Sequence, residues 1–168
     1  MQYFLSEYYS LHINCGDEEV NINKTKYEAD TLRRHAFHNE GNWAFSSTGN
    51  FLDGDRESEL YTLSNTSNLH ISTEDVKLYQ KARTSSIMLT YYGLCLMNGL
   101  YTVKLHFAEI VFTDDNSFNS LGKRVFDVYV QVGDSSFEYN RVTAQRCDQL
   151  LHDFYLRLPT LNMKDFCN

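Results

Sequence analysis

What this chain does not have narrows its chemistry first. It holds one proline among 168 residues, with no low-complexity tract and no internal repeat, which argues against linkers, tails and repeat arrays. No apolar run is long enough to span a bilayer, so no direct membrane insertion is expected. The opening MQYFLSEYYS has no basic region and too short an apolar stretch for a signal peptide. Basic residues are the minority, 15 against 22 acidic, for a net charge of −7; such a surface repels phosphate backbones and nucleic acid is not expected as a partner. The four cysteines, at 15, 95, 147 and 167, form no CxxC, which speaks against zinc by spacing. No nucleophile elbow, phosphate loop or HExxH occurs, and no enzyme activity or cofactor is expected.

Aromatics are what the chain does have: 12 Tyr and 11 Phe beside a single Trp. They suit strands and they suit sugar stacking, but most belong in a core. Hydrophobic residues make up 42% and charged residues 22%, the balance of one globular domain with a sizeable core.

The chain is organised around Leu100–Gln131. Tyr101, Val103, Leu105 and Phe107 alternate with Thr102, Lys104 and His106, and Phe126, Val128 and Val130 alternate with Asp127, Tyr129 and Gln131. Period two marks half-buried strands. Between them, residues 113–123 are rich in Asp, Asn, Ser and Gly, which favours a surface loop and a rim for ligand. Residues 86–96 read as a further strand with a bend at Gly93, and Asn98-Gly99 signals a hairpin into the organising strand. Residues 8–15 form a first strand by alternation, with Val20 and Ile22 in a short return strand. Residues 42–55 read as an irregular loop packed by Trp43, Phe45 and Phe51. No amphipathic helix is expected before residue 140. Many short strands with turn signals argue an all-β, antiparallel β-sandwich.

Several constellations point less far than they first suggest. His35 and His38 would need a helix to align and have no third ligand nearby, so solvated loop histidines are the better reading. DGD at 53–55 lacks the rest of a calcium loop; no metal site is expected. The pairs Asp53/Asp55 and Asp114/Asp115 cannot face each other across a glycosidic bond as a hydrolase requires. Glu109 follows an apolar strand and is expected to accept hydrogen bonds at its end. Cys15 and Cys95 both sit in apolar alternation; either they meet as a disulfide or they stay two buried thiols. Two N-x-S/T sequons begin at Asn23 and Asn65, in polar stretches that suit N-glycosylation.

The segments YYSLHINCG, YEADT, NWAFSSTGNFLD, LYQKAR, LTYYGLCLMNG and YTVKLHFAEIVFTDD…SLGKRVFDVYVQ resemble, in order and spacing, the malectin domain of plant leucine-rich-repeat receptor-like kinases. The resemblance covers residues 8–131. It implies a jelly-roll-like β-sandwich on the extracellular face of the plasma membrane, within a larger receptor. It further implies a lectin-like module, since animal malectin binds diglucose units of N-glycans. The expected partner is an oligosaccharide or glycan, and other receptor ectodomains are a further class. The alternative is a protein-interaction or spacer module whose sugar site has degraded.

Carried over residue by residue, the sugar site is thin. The paired aromatics after FAE become Val111 and Phe112, and a sugar-contacting Tyr falls on Thr84. By the same resemblance, another contact, an Asp near the domain's end, falls in a region expected to be missing from this chain. A ring stacks on the apolar face of a pyranose and carboxylates take its hydroxyls in pairs. Tyr79, Tyr91 and Trp43 are rings that either compensate or belong to the core, with Trp43 favoured as core. Residues 132–160 depart from the family pattern and read as a divergent insertion or intron-derived segment, with a short helix near Ala144–Leu156. Residues 161–168, LNMKDFCN, read as a displaced strand, which would leave the sandwich incomplete at its C-terminal end.

Overall fold

A computed structural model of the chain describes residues 8–31, 38–39, 41–49, 61–65, 74–97, 101–110, 124–132, 136–144 and 152–158. The chain divides into two compact units, with the described residues up to 96 in the first and those from 97 in the second. The antiparallel, all-β class expected of a β-sandwich holds in both: the described elements are strands and one short 3₁₀ turn.

The first unit runs β1 (Ile13–Asn14), β2 (Val20–Ile22), β3 (Thr25–Ala29), β4 (His38–Asn39), β5 (Trp43–Thr48), β6 (Thr62–Ser64), a 3₁₀ turn (Glu74–Tyr79), β7 (Lys81–Arg83) and β8 (Met88–Gly93). Its sheets are ordered β1-β3-β2, β4-β5-β8 and β6-β7. All described strand ladders are antiparallel except that β1 runs parallel to β3, with Ile13 opposite Glu28, and an isolated bridge joins Tyr8 to Leu96 in parallel. The core sits on β5, where Trp43 is 1%, Ala44 0% and Phe45 0% exposed. Three consecutive buried residues mean that both faces of this strand are covered, in the middle of a sheet. That is why alternation does not reveal it: a strand stands where the sequence suggested an irregular loop. Phe45 lies directly opposite Tyr91 on β8. The rings of Trp43, Phe45 and Tyr91 meet with centroids 6.0 to 6.3 Å apart, within the range of favourable aromatic pairs.

The first predicted strand is shorter than its alternation and does not bury the expected side. Only Ile13–Asn14 form a ladder, Tyr8 makes a single bridge to Leu96, Tyr9 is 73% exposed, and Asn14 rather than Cys15 is buried. Cys15 and Gly16 instead form a turn that docks on β7, where the Arg83 amide donates to the Cys15 carbonyl at 3.0 Å. Gly16 has φ +94°, and a Cβ there would come within 2.4 Å of the Arg83 nitrogen. Both the left-handed backbone and the close approach require glycine. The short return strand at Val20–Ile22 is present as expected.

The second unit holds β9 (Tyr101–Phe107), β10 (Arg124–Val132), β11 (Ser136–Ala144) and β12 (His152–Leu158). The two strands of the organising stretch are present, and their alternation is kept. Thr102 and Lys104 are exposed between half-buried Tyr101, Val103 and Leu105, and Val128 is buried between exposed Asp127 and Tyr129. The rings of Phe107 and Phe126 pack at 4.9 Å. The hairpin expected between residues 86–96 and the organising strand is overturned. β8 pairs with β5, while β9 pairs with β12 from His152↔Phe107 to Leu158↔Tyr101. Cys95, at φ 54°, bends the chain just after β8. The helix expected near residues 144–156 is overturned where the span is described, with Ala144 closing β11 and 152–156 in β12, while 145–151 lie outside the described residues. β11 and β12, both within 132–160, form ladders with β10 and β9. Residues 98–100 and 161–168 lie outside the described residues.

Candidate functional site

Of the residues singled out for sugar binding, Val111, Phe112 and the loop at 113–123 lie outside the described residues. The chain enters that segment from a buried point, since Glu109 and Ile110 past the end of β9 are 6% and 4% exposed. Thr84, just after β7, is half-buried, and its amide donates to the Tyr61 carbonyl at 2.9 Å. Tyr79 closes the 3₁₀ turn at 4% exposure and presents its carbonyl to the Asn65 carboxamide at 3.0 Å. Tyr91 packs among the β5 rings, and its hydroxyl donates to Asp30 Oδ2 at 2.6 Å. Of the rings left between compensation and core, Tyr79 and Trp43 are buried, while Tyr91 is half-buried with its hydroxyl on Asp30. A ring covered on its faces has no surface left for a pyranose.

The densest chemistry in the described residues was not singled out by sequence reasoning. It is the Asp30–Arg83 pair, buried to 0% and 1% of side-chain exposure. Arg83 Nε donates to Asp30 Oδ2 and Nη2 to Oδ1, each at 2.5 Å, and Nη2 also reaches the Asp30 carbonyl at 3.1 Å. This is the two-pronged geometry in which guanidinium and carboxylate interact most strongly. The Gly16 amide adds a third donor to Oδ2 at 3.2 Å, and the guanidinium lies 4.4 Å over the Phe45 ring. The cluster thereby fastens the Cys15–Gly16 turn, the end of β3, β7 and β8 to one another. A second carboxylate works likewise: Glu28 accepts from Asn42 Nδ2 and Trp43 Nε1, both at 3.0 Å. Among the described residues no buried side-chain polar atom lacks a partner. The signal was present in YEADT and LYQKAR. Each places a charge beside strand residues, and the two charges are opposite.

The cluster shapes the ionisation around it. Burial pushes the Arg83 guanidinium down, but hydrogen bonds and attraction to Asp30 outweigh it, so the net direction is up. Burial drives the Tyr91 phenol well above its ordinary range, with Cys15 and Asp30 adding to it. Residue 15 is exposed as a whole, yet its thiol lies against Tyr91, Asp30 and Arg83, and burial pushes it up from 9.0 to about 11. The sulfur also donates weakly to the Ile13 carbonyl at 3.9 Å. It is not a reactive thiolate at neutral pH.

The alternatives left open for Cys15 and Cys95 are settled separately. Cys15 is a free thiol, and Cys95 is disulfide-bonded, to a partner outside the described residues. The Cys15–Cys95 pairing is therefore corrected. Cys15 sits in the turn on β7, with its sulfur committed to the Tyr91 side, whereas Cys95 follows β8 at a left-handed bend. Among the described residues no group of three or more His, Cys, Asp or Glu side chains is placed to hold a metal ion. No helix among them is long and apolar enough to cross a membrane. His35 and the aspartates at 53, 55, 114 and 115 lie outside the described residues. The sequon asparagines differ: Asn23 is exposed in the β2–β3 turn, while Asn65 is half-buried and bonded.

Comparison with known proteins comes to bear at this point. The family described as "Malectin domain" matches residues 9–156. A probable LRR receptor-like serine/threonine-protein kinase of Arabidopsis thaliana is 52% identical over 130 residues, which is 73% of this chain and 13% of that protein. A second, a probable leucine-rich repeat receptor-like serine/threonine-protein kinase from the same plant, is 51% identical over 74% of this chain and 12% of its own length. The probable LRR receptor-like serine/threonine-protein kinase RFK1 of Arabidopsis thaliana is 38% identical over 72% of this chain and 12% of that protein. The chain thus matches about an eighth of each relative's length. No solved structure matches it significantly.

Proposed function

The chain belongs to the malectin domain family, and from that premise we propose that it is a carbohydrate-binding, non-catalytic module of a plant receptor-like kinase ectodomain. The observation that carries this reading is the family match over residues 9–156, together with relatives that are receptor-like kinases. The kinase activity in those relatives' names is theirs, and this chain carries no kinase motif. Its ligand is a glucose-containing oligosaccharide or a cell-wall glycan. Of the residues carried over by the resemblance, Phe112 is the stacking ring with Val111 beside it in sequence, and Thr84 holds the position of a sugar-contacting tyrosine.

A second reading has an observation of its own. Tyr79 and Trp43 are buried, and half-buried Tyr91 packs against Trp43 with its hydroxyl on Asp30, which leaves Phe112 as the main stacking ring among those the resemblance offers. A single ring is a small platform, and that favours a protein-interaction or spacer role in the same ectodomain. The test is a thermal melt read by Trp43 fluorescence, with and without a panel of glucose disaccharides. A ligand that binds only the folded form raises the midpoint, by about 2.7 kcal/mol of added stability at a hundredfold excess over Kd. The lectin reading expects one sugar to raise it in the parent chain and not in Phe112→Ala. A cooperative melt that no sugar in the panel moves supports the interaction reading.

A further inference from the structure

The two sequons are alike in sequence and unlike in structure. Asn23 and Lys24 are the central residues of the turn joining β2 to β3, closed where Ile22 lies opposite Thr25. Both have positive φ, 48° and 69°. This is the backbone of a two-residue type I′ hairpin, in which asparagine is favoured at the first central position. Both residues are exposed, and among the described residues the Asn23 carboxamide has no hydrogen-bond partner. Its Nδ2 is therefore open to carry a substituent that points into water.

Asn65 is fixed at both ends. Its amide donates to the Gln80 carbonyl at 2.7 Å, and its side-chain Nδ2 donates to the Tyr79 carbonyl at 3.0 Å. These bonds tie the end of β6 to the start of β7, in register with the Ser64–Lys81 pairing. The nitrogen that would carry a sugar faces a buried residue. Nδ2 keeps one N–H after substitution, but a glycan on this half-buried nitrogen requires the carboxamide to turn on the Tyr79 carbonyl, which disturbs that hydrogen bond.

We propose that Asn23 is the N-glycosylated position of the folded chain and that Asn65 is left unmodified. In the transfer, Asn23 Nδ2 forms a bond to the anomeric carbon of an oligosaccharide carried on a polyprenyl pyrophosphate. The bond from that carbon to the pyrophosphate oxygen breaks, Nδ2 loses one proton, and the carrier departs as its pyrophosphate. The inference rests on the ectodomain placement proposed above and not on sugar binding by the domain, so failure of the disaccharide test leaves it standing.

The experiment expresses the full chain behind a secretion signal in a eukaryotic host. Glycan occupancy is read by the gel shift on enzymatic deglycosylation and by mass spectrometry of the two sequon peptides. Secreted and lumenal fractions are both read, so a variant that folds poorly still reports. The parent chain is expected to shift by one glycan, Asn23→Gln to lose that shift and Asn65→Gln to keep it. An unoccupied Asn23 peptide overturns the proposal. So does an Asn65 glycan on secreted chain that melts like the parent.

Discussion

The two units of this molecule are held together by different kinds of information. In the first, three Arg83 hydrogen bonds to Asp30, two to its carboxylate and one to its carbonyl, together with Glu28 on Trp43, fix strands that are individually short, several of them only two or three residues. In the second, long ladders do the work: β10 and β11 each run nine residues in unbroken register, from Arg124↔Ala144 to Val132↔Ser136. Short strands gain little from ladder bonds alone, and their positions are set by side chains. Long strands set their own register by alternation and need no buried charge. The comparison predicts where each unit is most easily broken.

The largest effect belongs to the buried pair. Arg83→Ala leaves the Asp30 carboxylate at 0% side-chain exposure with its main partner gone, and removing one member of a buried pair costs about 3–5 kcal/mol. Unfolding followed by Trp43 fluorescence is expected to lose its cooperative transition or to shift far down in denaturant. The double variant Asp30→Leu/Arg83→Met sharpens the point. It removes both charges at once, and its cost is expected to fall well below the sum of the two single losses. Additive costs would show that the pair does not act as a unit.

Break the second unit by the same logic and the loss is smaller, because its residues contribute through apolar area. Val128 on β10 is 8% exposed. Val128→Ala removes two methyl-sized groups and is expected to cost about 1.6 kcal/mol, from about 0.8 kcal/mol for each buried carbon. The measurement is amide hydrogen exchange along β10 and β11, which should speed together because one ladder joins them. Faster exchange confined to Val128 alone would mean that the ladder does not open as one.

This contrast also explains what could be read from the sequence. The second unit's β9 and β10 announced themselves, because a strand with one buried face prints its pleat as alternating residues. In the first unit β2 and β8 read as strands from the sequence, but β3 and β5 do not. β5 is covered on both faces, so Trp43, Ala44 and Phe45 read as a cluster rather than a pattern. β3 carries Lys26 and Glu28 with Asp30 just beyond it, so it passed for a polar stretch. Its register depends on partners far along the chain, Asn42, Trp43 and Arg83. Non-local charge pairing leaves no periodicity. The same blindness misdirected the site: Tyr79 and Tyr91 look like any other tyrosines in a strand-rich chain. Only the partners of Tyr91, Asp30 above all, show that it is interior. The family resemblance was legible throughout, because the conserved spacing of motifs does not depend on knowing which residues meet.

The smallest expected effect tests whether the Cys15 sulfur belongs to the cluster of the first unit. Its pKa is raised from 9.0 to about 11, chiefly by burial. A thiol with a raised folded pKa holds its proton in the native state after the unfolded chain has released its own. Its contribution to stability is therefore complete below pH 9 and is lost as pH rises from 9 to about 11. Tyr91 is also raised, from 10.0, and Lys26 beside Glu19 from 10.5, so their contributions decline only above those values. The interval between 9.0 and 10.0 is thus left to the thiol among these groups. Denaturant midpoints followed by Trp43 fluorescence across that interval are expected to fall in the parent chain and to stay level in Cys15→Ser. A parent midpoint that holds level until the Tyr91 range would place the sulfur in water, as the exposure of residue 15 as a whole would suggest. The turn on β7 would then be held by Gly16 and its backbone bonds alone.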